Sequence, residues 1–364
     1  MVRARAIGLV AFGAATLGGA ALGYLGERRV MAGQAQRVAE ADPSLAAAPG
    51  WASRDVESHD RTLLHAELRA APGRPAVLFS HGLGLSSRVW HDQMTVLGER
   101  FHSVAFDHRG HGQSARAARG DYTLDALADD VAAVLAETAP AGPAVLVGHS
   151  LGGMAVLACA ARHPGLLGER VRGLVLTNTA ASRLFSGAAR STLAAAVSTV
   201  QARVYEAVVA RSSRARRRLE SDDPEDRPST DLSLLATRQF GLNPEAPPEL
   251  VAFLERELRG TPPVVLGACA PALTTVDLQD VARELTVPTL VLAGSRDRLT
   301  PPRQAQRLAE MLPDSELVTI EGAGHTAMLE QPDAVTAAID RFAARVTADA
   351  GGGDGTSARR ASSR

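Results

Sequence analysis

Short continuous apolar runs recur along this chain. Each stops at a turn and gives way to apolar positions at helical spacing. The runs "PAVLFSHG" from Pro75, "HSVAFDHRGHG" from His102, "PAVLVGHS" from Pro143, "VRGLVLTNT" from Val171, "VPTLVLAGSRD" from Val287 and "SELVTIEGAGH" from Ser315 read as strands. Their apolar positions are consecutive rather than alternating, the pattern of a sheet covered on both faces. The segment "TLDALADDVAAVLAET" has the spacing of an amphipathic helix, with Thr123 as N-cap and Asp125 in the first turn. Its carboxylates in "ADDVAAV", Asp129 and Asp130, read as a solvated face. Strands alternating with helices predict βαβ units, an α/β fold and a mostly parallel sheet.

The rhythm breaks between about Ala181 and Asp280. Helical spacing continues there around a polar hinge, "ESDDPEDRPSTD", without a clear strand. This predicts a helical insertion lying over the strand ends. No internal repeat interrupts the plan.

The N-terminus has a different pattern. "AIGLVAFGAATLGGAALGYLG", Ala6 to Gly26, carries no charge over about 20 residues, the length a membrane-spanning helix needs. Arg3 and Arg5 precede it, and Glu27, Arg28 and Arg29 follow it directly. A charged cluster in place of a small-residue cleavage site favours an uncleaved anchor over a signal peptide. The flanking charges set the body outside the cytoplasm. Secreted and cytoplasmic placements are the alternatives. The expected organisation is an anchor over residues 1–30, a linker over 31–50, a folded domain over 51–346 with its insertion at about 181–280, and a Gly/Ser/Arg-rich disordered tail over 347–364.

Composition adds little beyond exclusions. The chain has 364 residues, 45% of them hydrophobic, which suffices for one large core. All of its basic side chains are arginine, and a formal net charge of −1 implies no nucleic-acid partner. Two cysteines, Cys159 and Cys269, do not make a disulfide framework. Cys159 sits in an apolar run and reads as a buried thiol.

Candidate chemistry centres on "GHSLGG", Gly148 to Gly153, where a G-x-S-x-G pattern stands between a strand and a helix. Such a turn projects the Ser150 hydroxyl above the C-terminal edge of the sheet, at a helix N-terminus that favours negative charge. Serine is a weak nucleophile until a base takes its proton. Among ten histidines, His325 follows a β-run and opens a helical pattern, so it is the candidate base. His149 adjoins the serine, but neighbours at a tight turn generally point apart. His81, His108 and His111 sit in turns after strands and read as structural; His163 reads as surface. Asp297, just past a strand in "LVLAGSRDRLTP", is the candidate acid that fixes the histidine tautomer. An aspartate capping the next helix is the plainer alternative. The backbone N–H groups of Leu151 and Leu83 are the candidate oxyanion donors, Leu83 from the glycine-rich turn in "SHGLGLSSRVW".

Together "HGLG", "DHRGHGQS", "GHSLGG", "AGSRDRLTP" and "GAGHTAMLEQP", in this order, resemble the α/β-hydrolase superfamily, in particular its single-chain members with a helical cap, from about Arg74 to Phe342. The resemblance implies Ser150 as nucleophile, His325 as base and then acid, Asp297 as orienting acid, and 181–280 as the lid. It implies no cofactor and no metal. Serine at position 150, rather than aspartate, and Gly84, rather than proline, argue against epoxide hydrolases and haloalkane dehalogenases. Carboxylic ester hydrolysis of a small molecule is the leading expectation, with lipid-like substrates included in view of the apolar lid. Carbon–carbon bond hydrolysis, cofactor-free peroxidation and a non-catalytic ligand receptor on the same fold are the alternatives.

Overall fold

A computed structural model of the chain describes residues 51–182 and 237–348. The expected N-terminal anchor, linker and polar hinge lie outside the described residues, as does nearly all of the expected tail. Among the described residues, no helix is long and apolar enough to cross a membrane.

Those residues form an eight-stranded sheet in the order β1-β2-β4-β3-β5-β6-β7-β8. The strands are β1 (Ala52–Glu57), β2 (Leu63–Arg69), β3 (Ala76–Ser80), β4 (His102–Phe106), β5 (Ala144–His149), β6 (Val171–Thr177), β7 (Thr289–Gly294) and β8 (Ser315–Ile320). β3 pairs in parallel with both β4 and β5, and the parallel run continues through β6 and β7 to β8. All six runs read from the sequence are strands of this sheet.

The consecutive apolar runs follow from the two-residue period of a strand between two layers. Val77 and Phe79 of β3, with Val145 and Val147 of β5, pack with Trp90 and Phe342 on one face. Leu78 and Leu146 pack with Leu127 and Met154 on the other. Each fully buried side chain of this size stabilises the fold by about 1.5–3 kcal/mol against an exposed state.

Helices α1 (His91–Leu97), α2 (Leu124–Thr138) and α3 (Leu151–Arg162) follow β3, β4 and β5. The Thr123 hydroxyl accepts a hydrogen bond from the Ala126 N–H, so α2 starts where its cap predicts.

One feature was not anticipated and one expectation is corrected. β1 and β2 form an antiparallel edge that the runs did not reveal. β1 exposes all but one of its residues, so it carries almost no apolar signal. Asp129 and Asp130 are not a solvated face: they are 7% and 0% exposed. Asp130 accepts from Arg109 Nε at 2.7 Å and Nη2 at 2.6 Å, and Arg109 Nη1 also meets Asp60 Oδ2 at 3.0 Å. Ser58, after β1, donates its hydroxyl to Asp130 Oδ1 at 2.5 Å, and Arg162 Nε and His163 Nε2 lie 2.6 and 2.7 Å from Asp129 Oδ1, so partners from elsewhere hold what helical periodicity alone assigned to water. Buried, the guanidinium and its carboxylates depend on one another, because a lone charge there would be costly.

Between β6 and β7 the described part of the insertion holds a π-helical turn (Thr237–Gly241), α4 (Pro248–Gly260), α5 (Pro263–Thr275) and α6 (Gln279–Glu284). α4 reaches back over the loop after β3. Ser86 Oγ donates to the buried Glu257 carboxylate at 2.5 Å, and Leu258 lies against Gly84. α7 (Pro302–Met311), α8 (Ala327–Glu330) and α9 (Pro332–Ala348) complete the layers.

Candidate active site

β5 ends at His149 and α3 begins at Leu151, leaving Ser150 as the whole connection. Turning a strand into a helix over one residue forces Ser150 to φ 51 and ψ −116, a conformation that costs a non-glycine residue about 1–3 kcal/mol. The surroundings hold it there. The Ser150 N–H donates to the Thr177 carbonyl at 3.1 Å, and the Ser150 carbonyl accepts from Thr179 Oγ1 at 2.7 Å and from the Met154 N–H at 3.1 Å. The glycines allow the close approach. A Cβ on Gly152 would lie 2.3 Å from the Ser80 carbonyl oxygen, and one on Gly148 would lie 2.5 Å from that of Gly152. Leu151, the residue after Ser150, is the first of α3.

Asp297 and His325 come from different loops, after β7 and β8, and meet. His325 Nδ1 lies 2.9 Å from Asp297 Oδ2, with the two residues 6% and 4% exposed. Asp297 does not cap α7, whose N-cap is Pro301. Oδ1 accepts the Leu299 and Thr300 N–H groups, each at 2.8 Å, which shapes the turn. Oδ2 takes His325, Thr300 Oγ1 at 2.5 Å and Asn178 Nδ2 at 2.7 Å. Burial alone pushes this carboxyl up. The His325 charge and the hydrogen bonds from His325, Thr300 and Asn178 outweigh it and hold the pKa at about 2. Asp297 therefore stays ionised and accepts a proton-bearing Nδ1, which leaves His325 Nε2 as the basic nitrogen.

The loop after β3 lies beside the serine: a Cβ placed on Gly82 would be 3.2 Å from Ser150 Cβ. The Gly82 carbonyl is held from one side by two donors. The His108 N–H donates to His81 Nε2 at 2.9 Å, so the His81 proton is on Nδ1, and Nδ1 donates to the Gly82 carbonyl at 2.7 Å. The Leu85 N–H reaches the same oxygen at 3.2 Å. In a planar trans peptide the next N–H points the opposite way, so the Leu83 N–H is turned away from His81. Burial pushes the His81 pKa down to about 4, which keeps the ring neutral in this role. His108 Nε2 lies 2.9 Å from Ser80 Oγ, and His111 Nδ1 donates to the Arg109 carbonyl at 3.0 Å, in keeping with the structural roles expected for these histidines. His163 is half-buried, with Nε2 2.7 Å from Asp129 Oδ1.

His149 departs from expectation. Its ring does not point away from the site but packs 4.8 Å from the His325 ring. Asn178 and Thr300 also escaped the sequence reading. Both follow a strand end or a turn with no motif of their own, and only the fold brings them to Asp297. Asn178 has φ 47, a left-handed conformation asparagine tolerates.

A strained serine thus stands at a strand–helix elbow, and a buried carboxylate–imidazole pair is delivered by later strands. A family model described as alpha/beta hydrolase fold matches residues 75–332, and the chain belongs to that family. It is 28% identical over 270 residues to 3-oxoadipate enol-lactonase 2 of Acinetobacter baylyi, covering 73% of this chain and 88% of that one. A thermophilic esterase from Thermogutta terrifontis superposes with a TM-score of 0.62 at 26% identity, covering 81% of this chain and 99% of the other. The enol-lactonase from Burkholderia xenovorans LB400 gives 0.64 at 26%, covering 79% and 99%. The chain is thus a hydrolase of the α/β family, as its motifs implied.

Proposed function

We propose that the protein hydrolyses carboxylic esters, lactones included, through an acyl-enzyme on Ser150. His325 Nε2 takes the Ser150 proton as the hydroxyl oxygen attacks the carbonyl carbon. The Leu83 and Leu151 N–H groups receive the charge that develops on the carbonyl oxygen. The tetrahedral intermediate collapses, the C–O bond to the alcohol breaks, and the alcohol leaves with the proton from His325. Water then attacks the acyl-enzyme, with His325 again as base, and releases the acid and free Ser150. Asp297 orients the ring throughout.

The buried Asp297–His325 hydrogen bond of 2.9 Å is the observation that most supports this reading. It gives the histidine the tautomer a base needs. Ester chemistry is supported by similar proteins named as enol-lactonases and an esterase. Leu258 and Leu266 close over Gly84 from α4 and α5, an apolar wall suited to an acyl or alkyl group, lipid-like groups included. Here the helices between β6 and β7 act as the lid. The test is turnover of p-nitrophenyl esters of graded chain length and of small lactones by the purified protein. Hydrolysis that disappears in Ser150→Ala supports the proposal. Turnover of a diketone or of peroxide without ester cleavage, or ligand binding without turnover, refutes it.

We also propose that the uncharged stretch Ala6–Gly26 tethers the enzyme to a membrane. Full-length protein should then sediment with membranes and be released by deletion up to Gly50; full-length protein in the supernatant overturns the tether.

A further inference from the structure

The base loop is fastened at nearly every peptide. The Ala323 carbonyl accepts from the Arg296 N–H at 2.8 Å, and the Gly324 N–H donates to Glu330 Oε1 at 3.0 Å. The Gly324 carbonyl accepts from Asn178 Nδ2 at 3.2 Å, and the Thr326 N–H donates to the Gly241 carbonyl at 3.1 Å. The remaining bond is unlike these. His149 Nε2 lies 2.9 Å from the carbonyl oxygen of His325 itself. It comes from the residue covalently joined to Ser150.

A carbonyl oxygen only accepts, so Nε2 of His149 carries the proton. The ring is 1% exposed, and burial, reinforced by the facing His325, pushes its pKa down to about 3. It therefore stays neutral between about pH 5 and 8. Nδ1 is then a bare lone pair. It is buried without a partner among the described residues and faces Gly82, where a Cβ would lie 2.6 Å from it. One imidazole thus touches three parts of the site. It adjoins the serine through the chain, holds the base through the His325 carbonyl, and packs against Gly82 in the loop that carries Leu83.

We propose that His149 is a positioning residue that sets the distance between Ser150 and His325, acting as a neutral Nε2–H donor clamped on the His325 carbonyl. This rests on the hydrolytic reading of Ser150 and His325. With its Nε2 proton on a main-chain acceptor and its Nδ1 facing Gly82, the His149 ring turns no basic nitrogen toward the neighbouring base. That leaves His325 Nε2 as the basic nitrogen at the elbow.

The test has two arms. In the first, His149→Leu keeps the volume and removes the donor, while His149→Gln returns a side-chain N–H. For p-nitrophenyl acetate, His149→Leu is expected to lower kcat about 10- to 100-fold, as a displaced reacting group does. KM should change little, the acid limb of the kcat/KM profile should move, and His149→Gln should recover most of the rate. A folded His149→Leu with wild-type kcat and pH profile overturns the proposal, and so does a rate loss that His149→Gln leaves untouched. The second arm needs no variant. Assigned histidine 15N spectra of the wild-type protein should show the His149 ring as a neutral Nε2–H ring that does not titrate between about pH 5 and 8. A titrating or Nδ1–H ring at His149 overturns the clamp. This arm reads the clamp even in a protein that hydrolyses no ester, so its failure and that of the proposed function are distinguishable.

Discussion

Asp297→Asn isolates the tautomer argument. Every group around this carboxylate is a donor. Oδ1 faces the Leu299 and Thr300 N–H groups, and Oδ2 faces Asn178 Nδ2, Thr300 Oγ1 and His325 Nδ1. An asparagine must place its NH₂ against one set. The two backbone donors cannot rotate, so the amide oxygen takes the Oδ1 position and the NH₂ faces His325 and Asn178. His325 then lowers its energy by presenting a bare Nδ1, which moves its proton to Nε2. A base protonated at Nε2 cannot accept from Ser150. The expected loss in kcat is about 10³- to 10⁴-fold, or ~4–5.5 kcal/mol of barrier. KM should stay within a few-fold, since no atom of Asp297 faces the substrate in this account. The assay is steady-state hydrolysis of a p-nitrophenyl ester, with a thermal melt to show that the variant is folded. A folded Asp297→Asn within tenfold of wild-type kcat would refute the reasoning.

Other consequences are separable from this one. Against an ordinary value of 3.8, the folded-state Asp297 pKa of about 2 is depressed, so its contribution of ~2 kcal/mol is complete above the unfolded value and is lost as pH falls through about 2. Denaturant unfolding between about pH 5 and 2 should show wild-type protein losing that much more stability than Asp297→Asn; parallel curves would contradict it. His81→Leu frees the Gly82 carbonyl and lets the Gly82–Leu83 peptide rotate, so kcat should fall about 10²-fold with little change in KM; unchanged turnover would separate His81 from the oxyanion donor. Gly152→Ala sets a Cβ 2.3 Å from the Ser80 carbonyl oxygen, with backbone on both sides, and should destabilise by at least about 1–3 kcal/mol in denaturant unfolding. A neutral effect would show that strand and helix have room to part.

Much of this arrangement was legible because it rests on short-range signals. The apolar runs at Val145 and Leu290 became parallel strands because a doubly covered strand must be apolar at every position. Ser150, Asp297 and His325 were readable because each sits where such a run breaks at a turn, and the structure brings Asp297 and His325 into contact. What escaped the sequence depends on partners far away in the chain. Asp130 looked solvated until Arg109 was placed beneath it. β1 hid because an edge strand with outward polar residues has no apolar face to announce it. His149 was discounted on the geometry of the turn alone. Its ring finds His325, 176 residues later, only because β8 delivers the base loop to that spot. Asn178 and Thr300 carry no motif, since what they recognise is a carboxylate rather than a substrate.

The central claim is that Ser150 is an activated nucleophile. The most direct measurement is the intact and peptide mass of the protein after incubation with a fluorophosphonate. The account predicts a single covalent adduct per chain, carried by the peptide containing Ser150, absent in Ser150→Ala and strongly slowed in Asp297→Asn. An adduct on another residue, or none on a folded wild-type protein, would contradict it.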